Sequence, residues 1–290
     1  MAYLFQDQKR NLIYSIDDMI TSSSGVVFEI QERIASGGNA VVHKCTHTTS
    51  GESYAIKFQL SLSEKRVKRF KQEIKLLQEV KHEQLVRYID EGVVTARMTD
   101  RNSKHRRTEN LHYFIMDLAD SNLLDFYRKG KQKPSYEEYI SQFKGLASAL
   151  AALHERALHR DIKPENILIH GETWLLSDFG LCKYFEEEDL QDITDDKENI
   201  GPRFWMSPEA LNRTVGNKDE ISKCSDVFQL CAIFWFVVTG RSPSGIVCRE
   251  DWTGPENLYN LMYNSLSHNP LKRPMDGLEL YNLLNEATFS

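Results

Sequence analysis

Residues 158–180 read LHRDIKPENILIHGETWLLSDFG, and this stretch decides the fold of the chain. Apolar, strand-like runs alternate in it with the polar residues Asp161, Lys163, Asn166 and Asp178. The alternation predicts a loop, a short hairpin and a second loop, which bring two carboxylates and a carboxamide to one place. Oxygen ligands of this kind suit Mg²⁺, which keeps several waters and bridges substrate phosphates. A second carboxylate beside the metal can accept or orient a hydroxyl proton.

The chain before this stretch is rich in strand signals. Three β-type runs separated by short turns predict an antiparallel meander. They cover residues 26–34, 40–49 and 52–60. A helix is predicted next, at about 63–80, because apolar residues recur there at helical spacing. Glu73 falls on or beside the apolar stripe of this helix, so a buried carboxylate at that position needs a partner.

The pattern turns helical after residue 120. Ser135 lies three residues before Glu138, which predicts a capping box at the start of a helix. The run at 230–238 is apolar all round, which predicts a helix buried on every side. At nine residues it is too short to span a bilayer. A β-rich first third and a helical remainder predict two lobes with a crevice near residues 116–121.

Composition narrows the class of protein. The 290 residues are 41% hydrophobic and 27% charged, which is typical of a folded soluble chain. The net charge of −6 gives no reason to expect nucleic-acid binding. The start of the chain has no secretion signal, and five cysteines without a CxxC pair indicate reduced thiols. We therefore expect a cytoplasmic protein that is not bound to a membrane.

Two local features allow two interpretations each. His43, Cys45 and His47 share one face of a predicted strand, so they form either a metal site or a solvent-facing surface. The polar and basic insert at 95–110 forms either a solvated hairpin tip or a docking surface for an acidic partner.

The chain resembles a eukaryotic-type protein kinase of the serine/threonine class. The motifs that carry the resemblance are YAIK at 54–57, HRDIKPEN at 159–166, DFG at 178–180 and WMSPE at 205–209. The likeness covers about residues 27–285, and it implies the bilobal kinase fold of class α+β. A small antiparallel-β N-lobe with one main helix would span 27–118, and a larger, mostly helical C-lobe 119–290. Residues 1–26 would form an N-terminal extension.

The resemblance also implies a nucleotide site and a catalytic site. ATP would be bound by Ile34, Gly37, Gly38, Val42, Ala55, Lys57, Glu73, Met116, Asp117, Ala119 and Leu168. Lys57 would hold the α- and β-phosphates and pair with Glu73. The catalytic residues would be Asp161, which orients the substrate hydroxyl, Lys163, which contacts the transferring phosphate, and Asn166. Asn166 and Asp178 would hold Mg²⁺, or Mn²⁺ in its place.

Further matched residues imply support and regulation. Asp226 would anchor the catalytic loop from the buried helix, and Glu209 and Arg273 would form an ion pair. Thr194 is the single serine or threonine between 181 and 206, in a segment rich in acid. Either Thr194 is phosphorylated and Arg160 binds its phosphate, or the acidic segment is a solvated loop.

The chain departs from the family pattern at four places. Ala35 and Ala40 stand where two of the glycines of the phosphate loop are expected, and Pro202 stands where a threonine is usual. Cys231 replaces a glycine of the buried helix. Residues 242–255 are too few for the extra helix that relatives fit there, so we expect this helix to be short or missing.

The resemblance implies transfer of the ATP γ-phosphate to serine or threonine hydroxyls of protein substrates, including autophosphorylation. The alternatives are a pseudokinase that acts as a scaffold and a kinase for a small molecule. Lys57, Asp161 and Asp178 are all present, which argues against a pseudokinase. Glu209 and Arg273 argue against a small-molecule kinase. The sequence predicts neither the oligomeric state nor the identity of the protein substrate.

Overall fold

The computed structural model of the chain describes residues 2–7, 10–37, 39–130, 134–185 and 204–288. The chain divides into two compact units. Unit 1 comprises Met1–Glu79 and Val86–Ala119, and unit 2 comprises Val80–Leu85 and Asp120–Ser290. The units differ from the predicted domains in that residues 80–85 group with the second unit and residues 1–26 with the first.

Unit 1 is an eight-stranded antiparallel sheet with one helix. Its strands are β1 (Ala2–Asp7), β2 (Leu12–Asp17), β3 (Met19–Thr21), β4 (Val27–Ser36), β5 (Ala40–His47), β6 (Ser53–Gln59), β7 (Tyr88–Asp100) and β8 (Arg106–Asp117). The strand order is β1-β2-β7-β8-β6-β5-β4-β3. Helix α1 (Glu64–Glu79) follows β6. The predicted meander and the predicted helix are both confirmed.

The segment predicted as an extension contributes three strands to this sheet. Phe5, Tyr14 and Ile20 lie in the same buried cluster as Phe58 and Ile115 from the later strands. The Phe5 ring lies 4.7 Å from the Phe58 ring. Burial of these apolar side chains stabilises the sheet, so residues 2–21 are part of the fold of unit 1.

The face of β5 that carries His43 and Cys45 is buried. Both side chains are almost inaccessible, and Nδ1 of His43 lies 3.0 Å from the carbonyl oxygen of Gln31. The interpretation as a solvent-facing surface is therefore wrong. Among the residues that the structure describes, no group of three or more His, Cys, Asp and Glu side chains is placed to hold a metal ion.

Strands β7 and β8 extend into the basic insert. Strand β7 reaches Asp100, and β2 pairs with its end from Leu12↔Asp100 to Ser15↔Arg97. Residues 101–108 are exposed at the tip. The solvated hairpin tip is thus confirmed, and docking of an acidic partner stays a prediction.

Unit 2 is mostly helical, as predicted. Its helices are α2 (Leu123–Arg128), α3 (Tyr136–Leu153), α4 (Pro208–Thr214), α5 (Lys223–Thr239), α6 (Glu256–Ser265) and α7 (Gly277–Thr288). Its short strands are β9 (Ser121–Asn122), β10 (Ala157–Leu158), β11 (Ile167–His170), β12 (Thr173–Leu176) and β13 (Lys183–Tyr184). The capping box of Ser135 and Glu138 is present at the start of α3.

Helix α5 is buried on nearly all sides, as its apolar sequence predicts. No helix within the described ranges is both long enough and apolar enough to cross a bilayer. The segment between α5 and α6 contains one three-residue 3-10 turn, Arg249–Asp251. The prediction that the extra helix is short or missing is confirmed. All five cysteines are free thiols.

Candidate active site

The part of the site in unit 1 is built on β6 and α1. Lys57 on β6 donates a hydrogen bond from Nζ to Oε1 of Glu73 on α1, at 2.7 Å. The Glu73 side chain is only 3% exposed. Burying its charged carboxylate without a basic partner would lower the stability of the fold. Lys57 Nζ also lies 5.7 Å from the centre of the Phe114 ring. The buried carboxylate that the helical pattern indicated therefore has a partner.

Strand register sets which other side chains share a face with Lys57. Val42 is paired with Lys57, and Ala55 is paired with Met116. Paired residues in an antiparallel sheet project to the same side, as do residues two positions apart in one strand. The four side chains therefore project to one face of the sheet. The intervening residue Ile56 projects to the other face and lies in the core of unit 1.

The turn between β4 and β5 is closed by a hydrogen bond from the backbone N–H of Gly37 to the carbonyl of Ala40, at 2.9 Å. A Cβ atom added to Gly37 would meet nothing closer than that carbonyl oxygen, at 3.9 Å. The described part of the chain thus leaves room for a Cβ atom at this position. Ile34 is 49% exposed on β4. Gly38 lies outside the described residues.

The remaining ATP-site residues predicted in unit 1 lie at the end of β8. Met116 is half-buried, and Ala119 is the last residue of the unit. Arg87 donates to Asp117 from Nη2 at 2.8 Å and from Nε at 3.1 Å. This bidentate contact fixes the Asp117 side chain, and the backbone N–H of Asp117 is itself bonded to the Arg87 carbonyl.

In unit 2, Asp161, Lys163 and Asn166 meet in one loop. Lys163 Nζ donates to Asp161 Oδ2 at 2.7 Å. Asn166 Nδ2 donates to the same oxygen at 3.1 Å and to the Asp161 carbonyl at 2.8 Å. Burial raises the pKa of Asp161, the Lys163 charge opposes this rise, and the nearby Asp178 charge adds to it. The loop thus holds a buried carboxylate between two donors.

The hairpin of β11 and β12 brings Asn166 and Asp178 toward each other. Ser177 donates to the Asn166 carbonyl from its backbone N–H and from its hydroxyl, both at 2.9 Å. Asp178 follows Ser177, is exposed and has a left-handed backbone with φ of 61°. The amide nitrogen of Asn166 is engaged by Asp161, so its oxygen is the atom that could bind a metal. One carboxylate and one carboxamide oxygen fit a hard divalent cation. Leu168 lies half-buried on β11.

Asp226 on α5 is bonded to the backbone of the loop that carries Asp161, the contact that the sequence predicts for it. Its carboxylate accepts hydrogen bonds from the backbone N–H groups of His159, at 2.7 Å, and Arg160, at 2.8 Å. Arg160 has a φ of 70°, a strained conformation that these bonds help to hold. Although burial alone would raise the pKa of Asp226, the hydrogen bonds from His154 and from the backbone of Arg160 help to lower it.

The sequence interpretation missed two residues of this support. His154 Nδ1 accepts from the backbone N–H of Gly277, at 3.1 Å, so its Nε2 carries the proton that Asp226 accepts, also at 3.1 Å. Gln229 Oε1 accepts from the backbone N–H of Ile162, at 3.1 Å. Both connections join residues distant in sequence, and a motif match gives no signal for them.

His159 links the loop of Asp161 to the DFG segment at 178–180. Its Nδ1 accepts from the backbone N–H of Asp161, at 3.3 Å, and its Nε2 donates to the Ser177 carbonyl, at 3.1 Å. Its ring lies 5.2 Å from the ring of Phe179. Burial lowers the pKa of His159, which fits a neutral ring with one donor and one acceptor.

Glu209 on α4 and Arg273 form a buried bidentate ion pair, at 2.7 Å and 2.9 Å. Ser225 donates to the same carboxylate. Burial raises the pKa of Glu209, but the hydrogen bonds from Arg273 and Ser225 and the Arg273 charge outweigh burial and lower it. The structure thus brings together the two residues predicted as a pair. Thr194 and Pro202 lie outside the described residues.

Comparison with known proteins identifies the family. The model of the protein kinase domain matches residues 28–272. The chain is 26% identical over 247 residues to a probable serine/threonine-protein kinase, fhkD, of Dictyostelium discoideum, covering 79% of this chain and 30% of that protein.

Two further relatives show the same partial coverage. Over 225 residues the chain is 28% identical to serine/threonine-protein kinase pkn2 of Myxococcus xanthus, covering 74% of this chain and 25% of that protein. Over 247 residues it is 30% identical to lectin-domain containing receptor kinase VI.4 of Arabidopsis thaliana, covering 81% of this chain and 32% of that protein. The chain therefore spans about a third or less of these relatives. With the kinase model matching most of its length, the chain belongs to the protein kinase family.

Proposed function

We propose that the chain transfers the γ-phosphate of ATP to serine and threonine hydroxyls of protein substrates, its own copies included. The observation that carries this proposal is the loop in which Lys163 and Asn166 both donate to the buried carboxylate of Asp161. A kinase of this kind needs a positioned carboxylate for the hydroxyl and a positive charge beside the transferring phosphate. Relatives named serine/threonine-protein kinases support the substrate class.

In this proposal the nucleotide is held by the residues that the sequence predicts for it. Lys57, fixed by Glu73, binds the α- and β-phosphates. Val42, Ala55, Met116 and Leu168 contact the adenine ring, and the turn around Gly37 covers the phosphates. Asn166 and Asp178 hold Mg²⁺, which neutralises charge on the phosphates when it is bound.

The transfer step exchanges one phosphorus–oxygen bond for another. The substrate hydroxyl oxygen forms a bond to the γ-phosphorus, and the bond from that phosphorus to the β–γ bridging oxygen breaks, which leaves ADP. Asp161 orients the hydroxyl and accepts its proton. Lys163 stabilises the negative charge on the transferring group. Buried backbone bonds to Asp226 keep this loop in position before substrate arrives.

The kinase domain proposed here spans residues 27–285. The five free thiols and the net charge of −6 support a cytoplasmic enzyme that acts on proteins and not on nucleic acid. Phosphorylation of Thr194 is proposed as a regulatory step, and Arg160 would bind the phosphate.

A phosphoryl-transfer assay tests the proposal. Purified protein is incubated with γ-labelled ATP, Mg²⁺ and casein, and the labelled amino acids are identified after acid hydrolysis. We expect label on serine and threonine of casein and of the enzyme. Label on tyrosine alone would contradict the substrate class. The absence of any transfer by a folded protein that binds ATP would favour the scaffold alternative.

A further inference from the structure

The turn that joins β1 to β2 carries an arginine whose contacts lead to the turn at residues 37–40. Arg10 is held at its base by Asp7, which accepts from its backbone N–H at 3.0 Å and from Nη1 at 2.8 Å. The Asp7 side chain is 4% exposed. A carboxylate buried this deeply on one side of the guanidinium fixes the direction of the other side.

The other side of the guanidinium reaches two segments. Nη2 of Arg10 donates to the hydroxyl of Ser61, at 2.7 Å, and also lies 3.4 Å from Oδ1 of Asn39. Asn39 belongs to the turn between β4 and β5, and Ser61 lies between β6 and α1. One side chain of the N-terminal hairpin thus touches the residue before β5 and the segment that follows β6, the strand that carries Lys57.

Residues 60 and 61 connect the two contacts. The backbone N–H groups of Leu60 and Ser61 both donate to the Asn39 carbonyl, at 2.9 Å and 3.2 Å. On the other side, the Leu60 carbonyl accepts from the Tyr14 hydroxyl, at 3.2 Å. The base of the turn is therefore bonded to residues 60–61, and residues 60–61 are bonded to the hairpin of β1 and β2.

We propose that Arg10 is a positioning residue for ATP: through Ser61 it holds Asn39 and the start of β5 in place, and so orders the turn that covers the phosphates. This inference rests on the proposed function. Ala35 and Ala40, on either side of the turn, stand where glycines are expected. A turn that is already ordered in the free protein binds ATP more tightly. The entropy cost of ordering the turn then does not reduce the free energy of binding.

The planar guanidinium explains why the residue is an arginine. It presents donors in two directions, so one residue can bind Asp7 and Ser61 at the same time. A lysine at this position would be a point charge that satisfies Asp7 alone. The apolar residues of β1 and β2 stabilise unit 1, whereas Arg10 acts on the turn.

The experiment compares Arg10→Met with Asn11→Gly. Both residues lie in the same turn, but the Asn11 side chain donates to Asn102, at 2.7 Å, and its φ of 56° suits glycine. We expect Arg10→Met to raise the KM for ATP about three- to tenfold, with kcat at saturating ATP changed less than about twofold, because bound nucleotide then orders the turn. Asn11→Gly should leave both constants unchanged.

Hydrogen exchange in the nucleotide-free protein gives a second readout. The amides of Leu60 and Ser61 should exchange faster in Arg10→Met than in wild type, and at the wild-type rate in Asn11→Gly. Ser61→Ala removes the shorter of the two contacts of Nη2. Its effect on the KM for ATP should be in the same direction, and the double variant should show less than the sum of the two effects.

Three results would overturn the proposal. They are an unchanged KM for ATP with unchanged exchange in a folded Arg10→Met protein, equal effects of Arg10→Met and Asn11→Gly, and full additivity of Arg10→Met with Ser61→Ala. If Arg10→Met does not fold, the Ser61→Ala protein tests the proposal instead. The same two measurements are used, the KM for ATP and the exchange rates of the amides at residues 60 and 61. A wild-type protein that binds ATP without transferring phosphate contradicts only the proposed function, and the dissociation constant of ATP then replaces the KM. A wild-type protein that does not bind ATP contradicts both.

Discussion

The ammonium group of Lys57 and the carboxylate of Glu73 form a 2.7 Å ion pair within unit 1. The lysine comes from the sheet and the glutamate from the helix that follows it, sixteen residues later. Because the carboxylate is buried, the pair fixes where the lysine head lies on its face of the sheet. A phosphate ligand that is held in place before ATP arrives is what the proposed mechanism requires of Lys57.

Lys57→Met should lower the rate of phosphoryl transfer by at least about a hundredfold, because it removes the charge that holds the α- and β-phosphates in place. The measurement is the initial rate at saturating ATP and Mg²⁺, with thermal unfolding to check the fold. Lys75→Met is the matched control, since Lys75 is an exposed lysine of the same helix as Glu73. Equal activity of the two variants would contradict the role of Lys57.

Gly37→Val should raise the KM for ATP or lower kcat at least tenfold, about 1.4 kcal/mol of transition-state binding. The free protein has room for the added Cβ, 3.9 Å from the nearest atom, so stability should change little. A loss of activity in a stable variant would then be due to collision with bound nucleotide. Ala35→Gly and Ala40→Gly should be nearly neutral in the same assay. Unchanged ATP kinetics in Gly37→Val would make the stretch an ordinary hairpin.

Glu209→Gln should lower the free energy of unfolding at pH 7 by about 1–3 kcal/mol, because it removes a charged partner of buried Arg273. The pKa of Glu209 lies below its ordinary value of 4.5, so the stabilisation is present above that value and is lost as the pH falls through the folded-state pKa. Urea unfolding at several pH values should show the gap between wild type and variant shrinking in acid. A gap that stays constant down to strongly acidic pH would contradict the assignment.

Thr194→Ala should be less active than wild-type protein that is purified in its active form. The reason is that the variant cannot carry the phosphate that we propose at this position. Mass spectrometry before and after phosphatase treatment shows whether Thr194 carries phosphate. In a folded Arg160→Met protein, phosphatase treatment should no longer change the phosphoryl-transfer activity. An untreated Thr194→Ala protein with wild-type turnover would exclude phosphorylation of this residue as the switch.

Much of the candidate site was predictable because it depends on residues close together in sequence. Asp161, Lys163 and Asn166 lie within one short loop, and their hydrogen bonds follow from its conformation. Glu73 lies on or beside the apolar stripe of its helix, and this position predicted that its buried carboxylate has a partner. Short spacing and helical period are properties that a single sequence displays directly.

The missed features depend on contacts between distant residues. His154 bonds to Asp226, 72 positions away, and to Gly277, 123 positions away. A Cβ at Gly277 would lie 2.3 Å from the backbone nitrogen of Ala151, so α7 approaches α3 where only glycine fits. The strands of residues 2–21 were missed because a short strand is defined by its partners, here β2 beside β7. Their alternating pattern alone is a weak signal.

The central claim is that Asp161 accepts the hydroxyl proton during transfer, and Asp161→Asn tests it most directly. Asparagine keeps the size of the side chain but cannot accept this proton as a carboxylate does. Glu165→Gln is the control, since Glu165 is an exposed carboxylate of the same loop. The measurement is the single-turnover rate of phosphate transfer to casein by folded, ATP-binding protein. The account predicts a loss of several orders of magnitude in Asp161→Asn and wild-type transfer in Glu165→Gln, and a wild-type rate in Asp161→Asn would contradict it.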